Sequence, residues 1–162
     1  MQDKKSDIQL EQQFEFRNIL PQEADQAARI EEICFPPNEA CSETMMKERA
    51  LRVPELFLVA ADRDTVRIAG FLNGLATKEQ KFRDAFFTDA GLHDLNGDVV
   101  MLLGLDVLPE YRGRGLARKL MSVYAVRERQ KDREALRLTC LDQRSECMRK
   151  WDLQSNYFGI ES

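Results

Sequence analysis

Residues 99–118, VVMLLGLDVLPEYRGRGLAR, combine an apolar run, a turn and a glycine-rich segment that leads into a helical pattern. The run from Val99 to Val107 predicts a buried strand, which the following proline ends. From Leu116 onward, apolar residues recur at the spacing of a helix. Glycines let the main chain approach an anion closely, and the first turn of a helix has free N–H groups. The order strand, glycine turn and helix therefore predicts an anion site.

Four cations surround this turn, Arg112, Arg114, Arg118 and Lys119, although the chain has a formal net charge of -4. A local basic patch on an acidic chain indicates a discrete anionic ligand. Two common phosphate motifs do not fit, because a dinucleotide fold needs glycine or alanine at Arg118 and a P-loop needs Gly-Lys-Ser/Thr after the turn. The competing interpretation is an ordinary glycine turn with solvated arginines, which the flanking strand and helix disfavour.

Residues 112–117, RGRGLA, match the acetyl-CoA signature Gln/Arg-x-x-Gly-x-Gly/Ala of the GNAT superfamily of N-acetyltransferases at its four defined positions. The preceding LDVLPEY, residues 105–111, follows the strand-bulge-turn pattern of that superfamily, so the chain resembles it. The resemblance implies that the main chain of Leu105 and Val107 pairs with the pantetheine arm of acetyl-CoA. It also implies that the turn holds the pyrophosphate, through Arg112, Gly113, Arg114, Gly115, Leu116, Ala117 and Arg118.

The predicted elements extend the resemblance over residues 14–162 as one domain. Periodicity and turn signals predict strands at 14–19, 56–61, 66–75, 99–107, 135–140 and 156–161, and helices at 21–34, 43–52, 115–129 and 145–151. A short helix and a loop are predicted between 78 and 97. The resemblance implies an α/β (α+β) protein with the GNAT acyl-CoA N-acyltransferase fold, a mixed, mostly antiparallel sheet flanked by helices. This order has one strand fewer than is usual there, so the C-terminal strand is expected to be missing, and residues 1–13 are expected to be mobile.

A proline-rich loop follows the first helix pattern, and its sequence from residue 35 is FPPNEA. This loop and residues 53–60 resemble the arylalkylamine (serotonin) N-acetyltransferase branch and its bacterial relatives. The resemblance implies that Phe35 and Pro36 close over an amine, whereas a stiff helix-helix corner is the alternative. By position, Met101 and Leu103 replace the two histidines of that branch, so they are expected to form an apolar wall of the acceptor site.

The usual proton carriers of the superfamily are not found at the matching positions. Met148 stands where the resemblance places a catalytic tyrosine, so the catalytic residues are left unknown. His93, Glu39, Asp106 and Tyr157 are the other candidate carriers. The alternatives are a surface residue for His93, a solvated loop carboxylate for Glu39 and a residue that only completes the bulge for Asp106. Relatives continue beyond residue 162, so we expect either a strand supplied by a partner subunit or an altered C-terminal sequence.

The composition, with 43% hydrophobic and 32% charged residues among 162, fits a soluble globular domain. The polar N-terminus and the lack of a long apolar run predict no signal peptide and no membrane segment, hence a cytoplasmic protein. The cysteines form two pairs, Cys34 with Cys41 and Cys140 with Cys147. Their spacing is too wide for a zinc knuckle, so no metal is predicted. The acidic charge argues against nucleic acid.

These observations lead to one main hypothesis, an acetyl-CoA-dependent N-acetyltransferase that modifies the amine of a small substrate with an apolar or aromatic side chain. Its partners would be that amine and acetyl-CoA, with a homodimer left open. Met148 and the absent histidines motivate an alternative, a non-catalytic acyl-CoA-binding or sensing module. A structural protein that does not bind CoA is a third hypothesis.

Overall fold

A seven-stranded sheet runs through the computed structural model, which describes residues 4–79, 83, 85–139, 148–154 and 157–161. In spatial and chain order the strands are β1 Phe14–Asn18, β2 Phe57–Asp62, β3 Ile68–Thr77, β4 Val99–Val107, β5 Ala135–Thr139, β6 Met148–Asp152 and β7 Tyr157–Glu161. The helices are α1 Lys4–Gln13, α2 Ala24–Cys34, α3 Glu43–Arg52, α4 Ala85–Thr88 and α5 Leu116–Gln130. Neighbouring strands are antiparallel except β4 and β5. The predicted mixed, mostly antiparallel sheet with flanking helices is therefore confirmed.

The strands β2 and β3 are buried along their whole length, which marks them as central strands covered on both faces. Apolar residues of α2, α3 and α5 pack with them in the main core, among them Ile30, Ala50 and Leu120. Two predicted helix starts are confirmed. Ser42 caps α3 by accepting a hydrogen bond from the N–H of Met45 at 3.2 Å, and α5 follows the glycine turn.

The strands β4 and β5 separate after a short parallel contact. Pairing covers only Val99 to Met101, opposite residues 135–137. Beyond that point β4 continues to Val107 and, among the described residues, pairs only with β3 on its other side. The separation leaves one main-chain edge of residues 103–107 without a described strand beside it, and this open edge positions the site.

The structure has one helix that was not predicted, and one predicted helix is partly wrong. Residues 4–13, within the segment expected to be mobile, form α1, and Leu10 is buried in the core. The helix predicted at 145–151 is wrong at residues 148–151, which belong to β6; residues 145–147 lie outside the described part of the chain. Antiparallel pairing with both β5 and β7 overrides the local helical pattern there. The sheet consequently has one strand more than predicted, and the expectation of a missing strand is wrong.

The stretch between β3 and β4 contains α4 and a short 3-10 turn at Ala90–Leu92, so the predicted short helix and loop are confirmed where they are described. Within the described residues, no helix combines the length and apolar character needed to cross a bilayer.

Candidate functional site

A cavity of about 560 Å³ lies between α2, the loop from α2 to α3, α3 and the open part of β4. Apolar side chains from four elements form much of its wall, namely Met45, Leu72, Leu102 and Met121. Glu31, Glu39 and Arg49 add charged groups to the same wall. The cavity can therefore hold a compact ligand that is partly apolar and carries a charge.

The structure brings together two of the four residues predicted to bind substrate. Phe35 and Leu103 both line the cavity. Pro36 is exposed and does not line it; its carbonyl accepts hydrogen bonds from the N–H groups of Glu39 and Ala40, each at 2.9 Å, so it shapes the loop. Met101 does not line the cavity either.

Met101 is fully buried in a second apolar cluster with Leu75, Phe86 and Val99. Phe86 belongs to α4, which covers this part of β4. The sequence could not indicate that cover, because α4 lies in a stretch without clean periodicity. The predicted apolar wall therefore contains Leu103, at the edge of the second cluster, but not Met101.

Part of the main chain at the end of β4 faces the open edge. The N–H of Leu108 donates to the carbonyl of Ala69 at 2.9 Å on the β3 side. Because main-chain groups alternate between the two edges of a strand, those of Leu105 and Val107 point to the opposite edge, where β5 has diverged. The Val107 carbonyl there already accepts a hydrogen bond from Arg112 Nε at 2.9 Å.

The glycine turn after β4 exposes a row of main-chain donors. Gly113 and Gly115 have φ values of 82° and 83°, a left-handed conformation that favours glycine. No acceptor among the described residues is bonded to the N–H groups of residues 113–118. A Cβ atom at either glycine would meet nothing within 4 Å, so the space in front of the turn is open. The turn and the start of α5 thus form a cradle, residues 113–118, of the kind that binds a phosphate group.

Contacts beneath the cradle fix its position. The Tyr111 hydroxyl donates to Asp62 Oδ2 at 2.8 Å, and the ring packs edge-on against Phe14 with centroids 5.6 Å apart. Asp62 ends β2 and Phe14 begins β1, so the turn is tied to the far side of the sheet.

The four cations near the cradle do not have the same role. Arg112 holds the Val107 carbonyl, and Arg114 lies over the Tyr111 ring at 5.6 Å from its centroid. Lys119 is buried, and its Nζ forms ion pairs at 2.7 Å with Asp7 and with Glu11 of α1. Arg118 is exposed and forms no ion pair with any described residue. Lys119 therefore anchors α1, which leaves Arg118 as the cation most available to a ligand.

The candidate proton carriers lie in different places. His93 does not line the cavity: its Nδ1 accepts from the N–H of Ala76 at 3.0 Å, so Nε2 carries the hydrogen that bonds Glu55 Oε1 at 3.0 Å. These bonds make His93 a structural link in its loop. Glu39 does line the cavity and is exposed. The side chains of Met148 and Tyr157 lie outside the described part of the structure.

The surroundings of Asp106 are the feature that sequence reasoning missed. Its side chain is 1% exposed and lies beside Glu31 of α2, and neither of its carboxyl oxygens has a hydrogen-bond partner among the described residues. Burial raises the pKa of Asp106 from 3.8 to about 9; the neighbouring Glu31 adds to the rise, and Arg49 and Arg112 oppose it. An aspartate within an otherwise apolar strand was the available signal, but its partner on α2 cannot be read from local sequence.

The described cysteines, Cys34 and Cys41, are free thiols, and burial raises the pKa of each. Cys140 and Cys147 lie outside the described residues. Within the described residues, no group of three or more His, Cys, Asp and Glu side chains is placed to hold a metal ion.

Solved structures with the same fold include several GNAT proteins. The loading GNATL domain of CurA from Lyngbya majuscula has a TM-score of 0.71 at 19% identity, over 79% of this chain and 65% of that chain. The GphF GNAT-like decarboxylase, in complex with isobutyryl-CoA, has a TM-score of 0.68 at 22% identity, over 77% of this chain and 65% of that chain. A GNAT family acetyltransferase from Brucella melitensis, in complex with acetyl-CoA, has a TM-score of 0.55 at 18% identity, over 81% of this chain and 78% of that chain.

At these identities the likeness establishes the fold alone, and the chain spans 65% of the length of the first two neighbours. No curated protein matches the sequence. A family model described as Acetyltransferase (GNAT) family matches residues 24–146, a segment that contains both the cavity wall and the cradle. This match extends over more than half of the chain. The chain therefore belongs to the GNAT family of acetyltransferases.

Proposed function

We propose that this protein is an acetyl-CoA-dependent N-acetyltransferase that acts on a small amine with an apolar or aromatic side chain. The observation that carries the proposal is the position of Leu105. Its main chain lies on the open edge of β4, while the residue is 36% exposed and lines the cavity. A ligand arm that runs along this edge would therefore deliver its end group to the cavity.

The residues of the cradle fit the pyrophosphate of acetyl-CoA. The open N–H groups of residues 113–118 offer donors to phosphate oxygens, and the dipole of α5 favours an anion at its N-terminus. Arg118 adds a cation without having to break an ion pair with a described residue. Acetyl-CoA would supply the acyl thioester, and the crystallised neighbour from Brucella melitensis in complex with acetyl-CoA supports this ligand.

The cavity suits a small amine. Its volume of about 560 Å³ is within the usual range for small-molecule sites. Glu31 and Glu39 in its wall would attract a cationic amine, and Phe35 at the loop would contact an apolar or aromatic side chain. This combination favours a branch similar to the arylalkylamine N-acetyltransferases.

Thiol release from acetyl-CoA, measured with a panel of arylalkylamines, alkylamines and polyamines, tests the proposal. We expect turnover that depends on the amine and is fastest with an apolar or aromatic side chain. Calorimetry with CoA in parallel separates binding from catalysis. Tight CoA binding without turnover of any amine would refute the proposal and would instead identify an acyl-CoA-binding module.

A further inference from the structure

Two buried carboxyl groups, from Glu31 on α2 and Asp106 on β4, lie beside each other, and Glu31 adds to the rise in the pKa of Asp106. Their side chains belong to residues that are 6% and 1% exposed. Oε1 of Glu31 and both carboxyl oxygens of Asp106 have no donor partner among the described residues. Ionised carboxylates can only accept hydrogen bonds, so two of them in contact would leave buried oxygens unsatisfied. One proton shared between the two groups would remove this conflict and leave the pair with a single negative charge.

The cations around the pair are held by other acceptors. Arg49 of α3 is buried, and its guanidinium donates to Asn73 Oδ1 at 3.4 Å and to the Phe87 carbonyl at 2.5 Å. Within the described residues it forms no ion pair with Glu31 or Asp106. Arg112 holds the Val107 carbonyl. Among the described residues, the remaining titratable groups that face Asp106 are the thiols of Cys34 on α2 and Cys41 on the loop.

The pair borders the proposed amine site. Glu31 lines the cavity, and its Oε2 accepts a hydrogen bond from the N–H of Cys41 at 2.8 Å, which ties the carboxyl group to the loop. Gly104 also lines the cavity, and a Cβ atom there would lie 3.5 Å from Asp106 Oδ1. The absence of a side chain at Gly104 therefore brings the cavity close to the pair. Leu105, at which the thioester would arrive, is the next residue.

We propose that Glu31 is the proton acceptor for the amine and that Asp106 is a positioning residue that holds the Glu31 carboxylate through the shared proton. This inference rests on the proposed function. The bound ammonium group first loses one proton to solvent. The neutral amine nitrogen then gives one proton to Glu31 and forms a bond to the acyl carbon, and the bond from that carbon to sulfur breaks with its electron pair on sulfur. The proton held by Glu31 then passes to the thiolate. The products are the amide and the free thiol, and the carboxylate is regenerated.

The catalytic test compares Glu31→Gln with Glu32→Gln, a matched change of the exposed neighbour on the same helix. With an amine that the unaltered protein acetylates, we expect Glu31→Gln to lower kcat at pH 7 by about 10²- to 10⁴-fold, the usual contribution of a positioned proton-transfer group. Glu32→Gln should stay near the unaltered rate. Affinity for CoA, measured by calorimetry, should be similar in all three proteins, since the cradle is unchanged.

The shared proton is tested separately in the free protein. Carbon NMR of labelled aspartate side chains should show one neutral carboxyl group at pH 7 that titrates near pH 9 and is absent from Asp106→Asn. An Asp106 that is ionised at pH 7 would overturn the shared proton. Unchanged kcat and pH profile in Glu31→Gln would overturn the role of Glu31 alone, whereas an unaltered protein that acetylates no amine would overturn the proposed function itself.

Discussion

Replacement of Asp106 by asparagine should change how the stability of this protein depends on pH. An aspartate in an unfolded chain titrates near pH 3.9, whereas burial and Glu31 raise the pKa of Asp106 in the folded state to about 9. Between these values the folded protein holds a proton that the unfolded chain has lost. The contribution of Asp106 to the free energy of unfolding is therefore fully present below about pH 4 and is lost as the pH rises towards 9.

The size of the effect follows from the single proton. When one proton is held only in the folded state, the free energy of unfolding falls by about 1.4 kcal/mol for each unit by which the pH rises. From pH 5 to pH 8 the loss is about 4 kcal/mol, a large part of the roughly 5 to 15 kcal/mol that stabilises a domain. Asparagine has nearly the same shape and no proton to lose. Asp106→Asn should therefore gain stability relative to the unaltered protein as the pH rises.

Urea denaturation followed by circular dichroism at pH 5, 6, 7 and 8 measures this difference, and equal m-values would show that the unfolding transitions are comparable. Titrating groups that do not contact Asp106 are common to both proteins and cancel in the comparison. Asp98→Asn, at an exposed position just before β4, provides the control and should show a difference that does not vary with pH. Parallel stability curves for Asp106→Asn and the unaltered protein would refute the reasoning, because they would mean that Asp106 is ionised when folded.

Gly115→Val should abolish CoA binding in calorimetry, because a φ of 83° strains any branched residue and the side chain would enter the cradle; retained affinity would refute the cradle. Arg118→Ala should weaken CoA binding about tenfold with little change in Tm, the effect of one charge-assisted hydrogen bond. Lys119→Ala should lower Tm and leave the affinity for CoA nearly unchanged, since it breaks the ion pairs to α1. A large loss of CoA affinity would contradict the assignment of Lys119 as an anchor of α1. Tyr111→Phe removes the hydrogen bond to Asp62, and thermal melts should show a stability loss of about 1 to 3 kcal/mol; an unchanged Tm would argue against that anchor.

Local signals in the sequence were sufficient for the elements that carry the cradle. The apolar run of β4 and the glycine turn before α5 act over a few residues, so their prediction did not depend on the rest of the chain. The strand β6 could not be predicted in this way, because its conformation depends on pairing with β5 and β7. Nor could the ion pairs of Lys119, since they join residues more than 100 positions apart along the chain.

Non-local contact also explains why the substrate wall was only partly predictable. The prediction placed Met101 and Leu103 in one apolar wall, and both belong to or pack against the second apolar cluster. Which of them reaches the cavity depends on α4, whose Phe86 covers the Met101 cluster. The position of α4 is set by tertiary packing rather than by a helical pattern in its own short sequence.

The proposed chemistry depends on three consecutive residues of β4 with three different roles. Gly104 contributes no side chain, so the cavity approaches the carboxyl pair. Leu105 turns its main chain to the open edge, and Asp106 buries its side chain against α2. Neighbouring residues of a strand point their side chains to opposite faces and their main-chain groups to opposite edges. A shift of the pairing by one residue would therefore turn the Asp106 side chain to the other face and the Leu105 main chain to the other edge. Pairing with β3, which continues to Val107, fixes the register after β5 has diverged. The divergence of β5 from β4 opens the edge to a ligand, and it also leaves the pairing with β3 to hold residues 104–106 in place.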